Sequence, residues 1–316
     1  MLAFAFDDFG KAPSLRSMPT PAPESGEVRV RVQATSLNAF DLLIAAGYMK
    51  GRMEHRFPIV LGRDFAGVVD AVGPGTTSFA IGDDVFGVVM KPYLADGSFA
   101  EFVTVSTGMG IARRPKSLPV EEAGALGVAG TTALAAIEAL APSAGQTILI
   151  SGAAGGVGSF AVQLAAARGA RVIATAKPND GEYVRSLGAA VSVDPGALES
   201  EVRRLAPNGV DAAAHLAGDA RTIAGLVAKG GRFASTAGAG PQQLGDLPIT
   251  ATAIMGMPSN DSLSKLGGLG AEGRLRVPIS WTYSFEQLPQ AFANFARGGK
   301  HGKLGVRISA HLGRAS

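Results

Sequence analysis

The chain has 316 residues, with 43 Gly, no Cys, and 29 Lys+Arg against 26 Asp+Glu. Only 17% of residues are charged and 47% are hydrophobic, which excludes a disordered chain; the length predicts about two domains. The absence of Cys excludes disulfide frameworks, thiolate nucleophiles, iron–sulfur clusters and Cys-based zinc sites, and a formal charge of +3 with no long Lys/Arg run argues against a nucleic-acid partner.

The first six residues are apolar and are followed by Asp7 and Asp8 with no basic stretch before them, so they do not read as a signal peptide. The segment to about residue 115 is β-rich. Glu27-Val28-Arg29-Val30-Arg31-Val32 alternates with period two, and Phe65–Val72, Asp84–Val89 and Phe99–Val105 continue the pattern between glycine turns. Leu118 to Ala141 is rich in Ala and helical in tone. Ala139 to Ala167 carries no charge, but Pro142 and the glycines at 145, 152, 155, 156 and 158 break it. A strand, a turn and a helix explain that stretch better than a membrane span, and the protein is expected to be soluble and cytoplasmic.

From Thr147 the chain alternates strand and helix, which predicts a parallel, doubly wound sheet. Strands are expected at Thr147–Ser151, Arg171–Thr175, Val191–Val193, Asp211–Leu216 and Gly231–Ser235, with helices at Gly156–Arg168 and Gly181–Leu187. The tail has a capping-box pattern at Ser284–Gln287, an amphipathic helix through Phe285, Leu288, Phe292 and Phe295, and a closing strand at Lys303–Ser309. It is expected to pack back on the N-terminal domain, with the last five or so residues fraying.

The strongest motif is the glycine loop Gly152-Ala153-Ala154-Gly155-Gly156-Val157-Gly158. It follows an apolar strand and opens a helix, where backbone N–H groups and the helix N-terminus would hold a pyrophosphate. Ala153 stands where the dinucleotide fingerprint has its first glycine. The second strand ends Thr175-Ala176-Lys177 with no carboxylate to accept ribose hydroxyls. Thr175 and Lys177 therefore favour NADPH over NADH, with Arg185 a weaker candidate; the competing reading of Lys177 is a solvated surface lysine. Gly218 and Gly238 follow later strands at the sheet edge that meets the ligand.

Beyond these residues the chain resembles the medium-chain dehydrogenase/reductase superfamily, specifically its zinc-free, zeta-crystallin-like quinone oxidoreductases. The likeness is carried in order by Leu37-Asn38-Ala39-Phe40-Asp41, Gly62-Arg63-Asp64-Phe65-Ala66-Gly67-Val68-Val69, Gly130-Thr131-Thr132-Ala133, Gly155-Gly156-Val157-Gly158, Gly230-Gly231-Arg232 and Gly302-Lys303-Leu304-Gly305. It implies an α/β protein with a GroES-like β-barrel catalytic domain (1–118 and 271–316) interrupted by a Rossmann domain of doubly wound parallel sheet (119–270), an active site in the cleft between them, and a homodimer. Zinc relatives carry a Cys near the position of Asn38 and a Gly-His-Glu segment, which here reads Gly62-Arg63-Asp64. The histidines at 55, 215, 301 and 311 show no metal-ligand spacing, so no metal is expected. The resemblance makes Asn38 the candidate contact to substrate or nicotinamide and Asp41 its motif partner, equally able to hold only the loop. It places Thr131 near the nicotinamide end of the cofactor. Tyr48 stands in for a tyrosine that many relatives carry two residues after the motif Asp.

Phe40, Tyr93, Met255 and Met257 are candidate walls of an apolar acceptor pocket. Without a Lewis acid to hold an alkoxide, the expected chemistry is hydride transfer from NADPH to an electron-poor quinone or activated alkene. No unmistakable acid stands in the matched positions, which tilts the expectation toward the quinone. The alternatives are a biosynthetic enoyl or ketone reductase on the same fold and a non-catalytic NADPH-binding protein.

Overall fold

A computed structural model describes residues 1–309 of the chain. His311 and the fraying expected of the last residues lie outside them. The described residues divide into two compact units, one of residues 1–128, 258–299 and 303–309, the other of residues 129–257 and 300–302.

The first unit is built on one mixed sheet. Strands Ile111–Arg113, Asp84–Val88, Asp64–Val72, Glu27–Ser36, Lys303–Arg307 and Ile279–Ser284 lie side by side, and Phe102–Ser106 also pairs with Glu27–Ser36. The period-two pattern of Glu27–Ser36 has its expected consequence: Val28, Val30 and Val32 are buried while Arg29 turns outward, bidentate to Asp70 at 2.9 and 3.0 Å. Each valine so buried is worth about 1.5–3 kcal/mol. The apolar start of the chain forms strand Leu2–Phe6, which pairs with Ser14–Ser17 and Ile59–Val60 and buries Phe4 and Phe6 beside Phe65 and Phe99. The tail joins this unit as expected, because Lys303–Arg307 runs antiparallel to Glu27–Ser36.

The division falls at 128/129 and 257/258, not at the 118/119 and 270/271 expected from sequence. Two packings move it. The helix Val120–Ala123 is followed by Gly124, where a Cβ would stand 2.8 Å from the Ala34 backbone. The helix Asn260–Ala271 is pinned to the β unit by its first residue, since Asn260 accepts from the Ile111 N–H (3.1 Å) and donates to the Thr107 carbonyl (3.0 Å). Composition does not reveal either contact.

The second unit is a six-stranded parallel sheet. In space the strands run Val191–Val193, Arg171–Thr175, Thr147–Ile150, Val210–His215, Val227–Ser235 and Thr250–Ala253. The order reverses between Thr147–Ile150 and Val210–His215, and in open sheets of this kind the ligand crevice lies beyond the carboxyl ends at such a switch point. The charge-free stretch resolves into strand Thr147–Ile150 and helix Gly156–Ala166. Among the described residues no helix is long and apolar enough to cross a membrane. The edge strand Thr250–Ala253, made of small and polar residues, is the one sheet member the sequence pattern does not announce.

Candidate active site

In the β-rich unit the motif residues converge on one buried carboxylate. Gly62 turns the chain at φ +94°, and a Cβ there would lie 2.4 Å from the Phe99 ring, so only glycine delivers Arg63 and Asp64 to this depth. Asp64 is fully buried. Its Oδ1 accepts from the Val128 N–H at 2.6 Å, and its Oδ2 accepts from Ser36 Oγ at 2.5 Å, from Asn38 Nδ2 at 2.9 Å and from Lys303 Nζ at 3.3 Å. Lys303, itself buried, completes the set by donating to Asn38 Oδ1 (2.5 Å) and to the Leu37 carbonyl (3.0 Å). This is a buried ion pair with most of its donors and acceptors matched, the condition under which such a pair survives desolvation.

Asn38 precedes the helix Ala39–Ala45, but its side chain does not cap it. Both ends of the amide are engaged: Oδ1 on Lys303, Nδ2 on Asp64 and, at 3.4 Å, on the Ser36 carbonyl. Asn38 is therefore held in position inside the network, with one lone pair of Oδ1 still open. The capping is done by Asp41, whose Oδ2 accepts from the Asn38 N–H at 2.8 Å. Asp41 has 0% exposure and its Oδ1 is sealed without a partner. Burial, reinforced by the Asp64 charge, lifts its carboxyl to about 7 against the favourable bond from Asn38. Asp41 can thus hold a proton near neutrality inside the fold, sealed from solvent.

Phe40 is half-buried beside the Arg63 guanidinium, whose carbon is 5.6 Å from the ring centroid. Tyr93 is half-buried elsewhere in this unit, with the Arg56 guanidinium 3.8 Å from its ring centroid and Lys91 Nζ at 5.8 Å. Tyr48 stands 69% exposed in the turn after Ala39–Ala45, its N–H donating to the Leu43 carbonyl at 3.0 Å.

The network does not suit a zinc ion. Its one carboxylate at the metal-motif positions already carries an ammonium, and Asn38 and Arg63 supply an engaged amide and a cation. Among the described residues no three His, Cys, Asp or Glu side chains are grouped so as to hold a metal.

In the dinucleotide unit the glycine loop is folded onto itself. The Gly155 N–H donates to the Gly152 carbonyl at 3.1 Å, and a Cβ on Gly158 would lie 2.2 Å from that same oxygen. The helix Gly156–Ala166 can start this close to the strand only because Gly158 has no side chain. Its first-turn amides at Gly156, Val157 and Gly158 have no acceptor one turn back, so they are available to a phosphate. Thr175 is buried, and its Oγ1 accepts from the Gly152 N–H at 3.0 Å while its carbonyl takes the Ala153 N–H at 3.3 Å. Thr175 therefore shapes the loop, and its hydroxyl keeps a hydrogen to donate. Lys177 is exposed just beyond it.

Gly218 and Gly238 stand at φ +90° and +86° after the strands Val210–His215 and Val227–Ser235. A pair of buried polar residues missed in the sequence fixes these loops. His215 Nε2 lies 3.0 Å from the Gly218 carbonyl and Nδ1 lies 2.8 Å from Ser235 Oγ, which also accepts from the Ala237 and Ala239 N–H groups. A carbonyl can only accept, so Nε2 carries the proton of the neutral ring and Nδ1 accepts from the Ser235 hydroxyl. Ser151 does the same for the neighbouring loop, accepting from Leu216 and Ala217 N–H at 3.0 and 3.3 Å. Thr131 is buried in the helix Gly127–Leu140. Its neighbour Thr132 is approached so closely by Gly256 that a Cβ there would be 2.4 Å from the hydroxyl. Met255 and Met257, 81% and 60% exposed, flank that glycine.

Residues 300–302 belong with this unit although sequence assigns them to the other. The Gly302 N–H donates to the Ala154 carbonyl in the glycine loop at 2.8 Å, and His301 Nε2 lies 2.6 Å from Asp180 Oδ1 with its ring stacked on Tyr183, centroids 4.6 Å apart.

Residues 24–116 match the alcohol dehydrogenase GroES-like domain family and residues 156–296 the zinc-binding dehydrogenase family. A chloroplast envelope quinone oxidoreductase homolog of Arabidopsis thaliana is 39% identical over 181 residues, 54% of this chain and 53% of that protein, so the chain spans about half the length of that relative. Erythronolide synthase EryA2 of Saccharopolyspora erythraea is 35% identical over 304 residues, 90% of this chain but 8% of the synthase. Among solved structures, the quinone oxidoreductase from Coxiella burnetii superposes with a TM-score of 0.90 at 28% identity, covering 98% of this chain and 99% of that one.

Proposed function

Since the chain belongs to the medium-chain dehydrogenase/reductase superfamily as a quinone oxidoreductase-like member, with GroES-like and Rossmann domains, we propose that it is a zinc-independent, NADPH-dependent reductase of quinones or activated alkenes. The observation that carries the cofactor reading is the tight glycine loop, followed by a second strand that ends at exposed Lys177 with no carboxylate. An ammonium there attracts a ribose phosphate that an Asp or Glu would repel. The residues fit the dinucleotide: Gly158 leaves room for the helix start to reach the loop, and Gly152 and Ala153 are braced by Thr175.

When bound, NADPH supplies a hydride. The chain's own contribution is to hold the pyrophosphate on the first-turn amides of Gly156–Ala166, to set the sheet-edge loops through Ser151, His215 and Ser235, and to keep a rigid polar floor of Asn38, Asp64 and Lys303 in the catalytic unit. In this reading the protein acts as a cytoplasmic homodimer, with no nucleic acid or membrane as partner.

The second reading, an enoyl reductase, is favoured by the likeness to the polyketide synthase. The discriminating experiment is initial-rate oxidation of NADPH and of NADH by purified protein with a simple quinone and an unhindered enone in parallel. Turnover of the quinone or of the simple enone supports the first reading; turnover of neither, with reduction of an enoyl thioester offered alongside, supports the second. Equal use of NADH and NADPH overturns the assignment of Lys177.

A further inference from the structure

Arg63 is 6% exposed, and of the buried cations of its unit it is the least satisfied. A guanidinium has five N–H donors in a fixed fork. Here Nη1 reaches the Asp96 carbonyl at 3.4 Å, the outer limit of a hydrogen bond, and among the described residues no other hydrogen bond and no ion pair is made by this side chain. Lys303 has Asp64, Lys91 has Glu27 and Asp96, and Arg29 has Asp70. Burying a cation without a counterion is costly.

Its open donors are not wasted against apolar wall. The side-chain atoms that are both sealed from solvent and unpartnered include Asp41 Oδ1 but no nitrogen of Arg63. Nε and Nη2 of the fork therefore keep some solvent exposure from an otherwise buried position. Phe40 lies along it, and Asp41 and Asp96, coupled to it by charge without an ion pair, provide partial neutralisation. A fixed, desolvated set of donors opening beside an aromatic face is the arrangement that stabilises negative charge developing on oxygen.

We propose that Arg63 is the acceptor-binding residue: its guanidinium donates to the carbonyl oxygen of the quinone or enone and holds the charge that this oxygen gains during reduction. The inference rests on the reductase reading above. For an enone, the hydride adds to the β-carbon, the alkene π pair shifts toward the carbonyl carbon, the carbonyl pair moves to oxygen as an enolate, and solvent supplies the proton to the α-carbon. NADPH is oxidised to NADP+, and the enone is reduced by two electrons. A quinone gives a hydroquinone monoanion that is protonated by solvent in the same way.

The test uses the full chain as wild type, Arg63→Met and Arg63→Lys. The readouts are steady-state kinetics with quinone and enone, NADPH affinity by fluorescence, and calorimetric binding of 4-hydroxybenzoate, an aromatic carboxylate that cannot be reduced. The expected result is a loss of about 100-fold or more in acceptor kcat/KM for Arg63→Met, comparable to removing one oxyanion donor. Arg63→Lys should lie between, NADPH affinity should change less than twofold, and 4-hydroxybenzoate should bind wild type and not Arg63→Met. Acceptor kcat/KM within threefold of wild type and unchanged 4-hydroxybenzoate binding in Arg63→Met would overturn the proposal. If Arg63→Met does not fold, Arg63→Lys decides by the same two measurements. If wild type oxidises NADPH with neither acceptor yet binds the carboxylate through Arg63, the reductase reading fails and the anion site stands.

Discussion

The two units solve the same problem, fixing loops at a buried polar centre, with different chemistry. The catalytic unit uses full charges: Asp64 and Lys303 face each other in the interior, with Asn38 and Ser36 filling their remaining hydrogen-bond positions. The dinucleotide unit uses neutral groups: the hydroxyls of Ser151, Thr175 and Ser235, a neutral His215, and glycines where a side chain would block the backbone. Neutral partners cost little to desolvate and can be lost singly. A buried charge pair fails badly when one member is removed, because the survivor is left unpaired. The comparison teaches that tolerance to mutation should differ sharply between the units even where burial is equal.

The largest expected effect follows directly. Lys303→Met should destabilise the protein by about 3–5 kcal/mol in urea unfolding, since it strands Asp64. A loss under about 1 kcal/mol would show that the pair is already half solvated and would erase the contrast. Asp41 sharpens the comparison through pH. Its folded carboxyl sits at about 7 against an ordinary 3.8, so between those values the folded state keeps a proton that the unfolded state has released. Stability from this group is complete below about 3.8 and is lost as pH rises through about 7. Asp41→Asn should flatten that slope, recovering a few kcal/mol at pH 8 relative to pH 5, which parallel denaturant titrations would reveal.

In the neutral unit Ser235→Ala should cost about 1–3 kcal/mol, read as a shift in thermal midpoint, because it leaves His215 Nδ1, the buried Ala239 N–H and the part-buried Ala237 N–H with one fewer partner. The smallest global effect belongs to Lys177→Ala. It should leave stability within about 0.5 kcal/mol, as for an ordinary surface position, while lowering affinity for NADPH and not for NADH. An unchanged NADPH-to-NADH ratio in binding would remove Lys177 from the cofactor argument.

Much of this architecture could be read before any coordinates. The valine alternation in 27–32, the strand–glycine–helix order at 147–166 and the absence of Cys are local facts, and local facts carry the fold class. The residues that were hard to see are those whose meaning depends on distance along the chain. Lys303 is 239 residues from Asp64, and nothing in either segment announces the other. The available signal was a lysine at a core-facing position of the closing strand Lys303–Arg307, where an unpaired charge is not tolerated. Arg63 was legible only as a missing histidine, and its open donors emerge from the packing of Phe40 and Asp96 around it. Asn38 and Thr175 were found, but their partners determine what they do, and partners are tertiary facts.

The short run 300–302 has a practical consequence for anyone cutting the gene. Its Gly302 and His301 bonds serve Ala154 and Asp180, so the nucleotide-binding module is not a contiguous stretch of codons. A fragment limited to 129–257 leaves out the piece of backbone that covers its own phosphate loop. A tether that rejoins 300–302 would be part of any faithful isolated version.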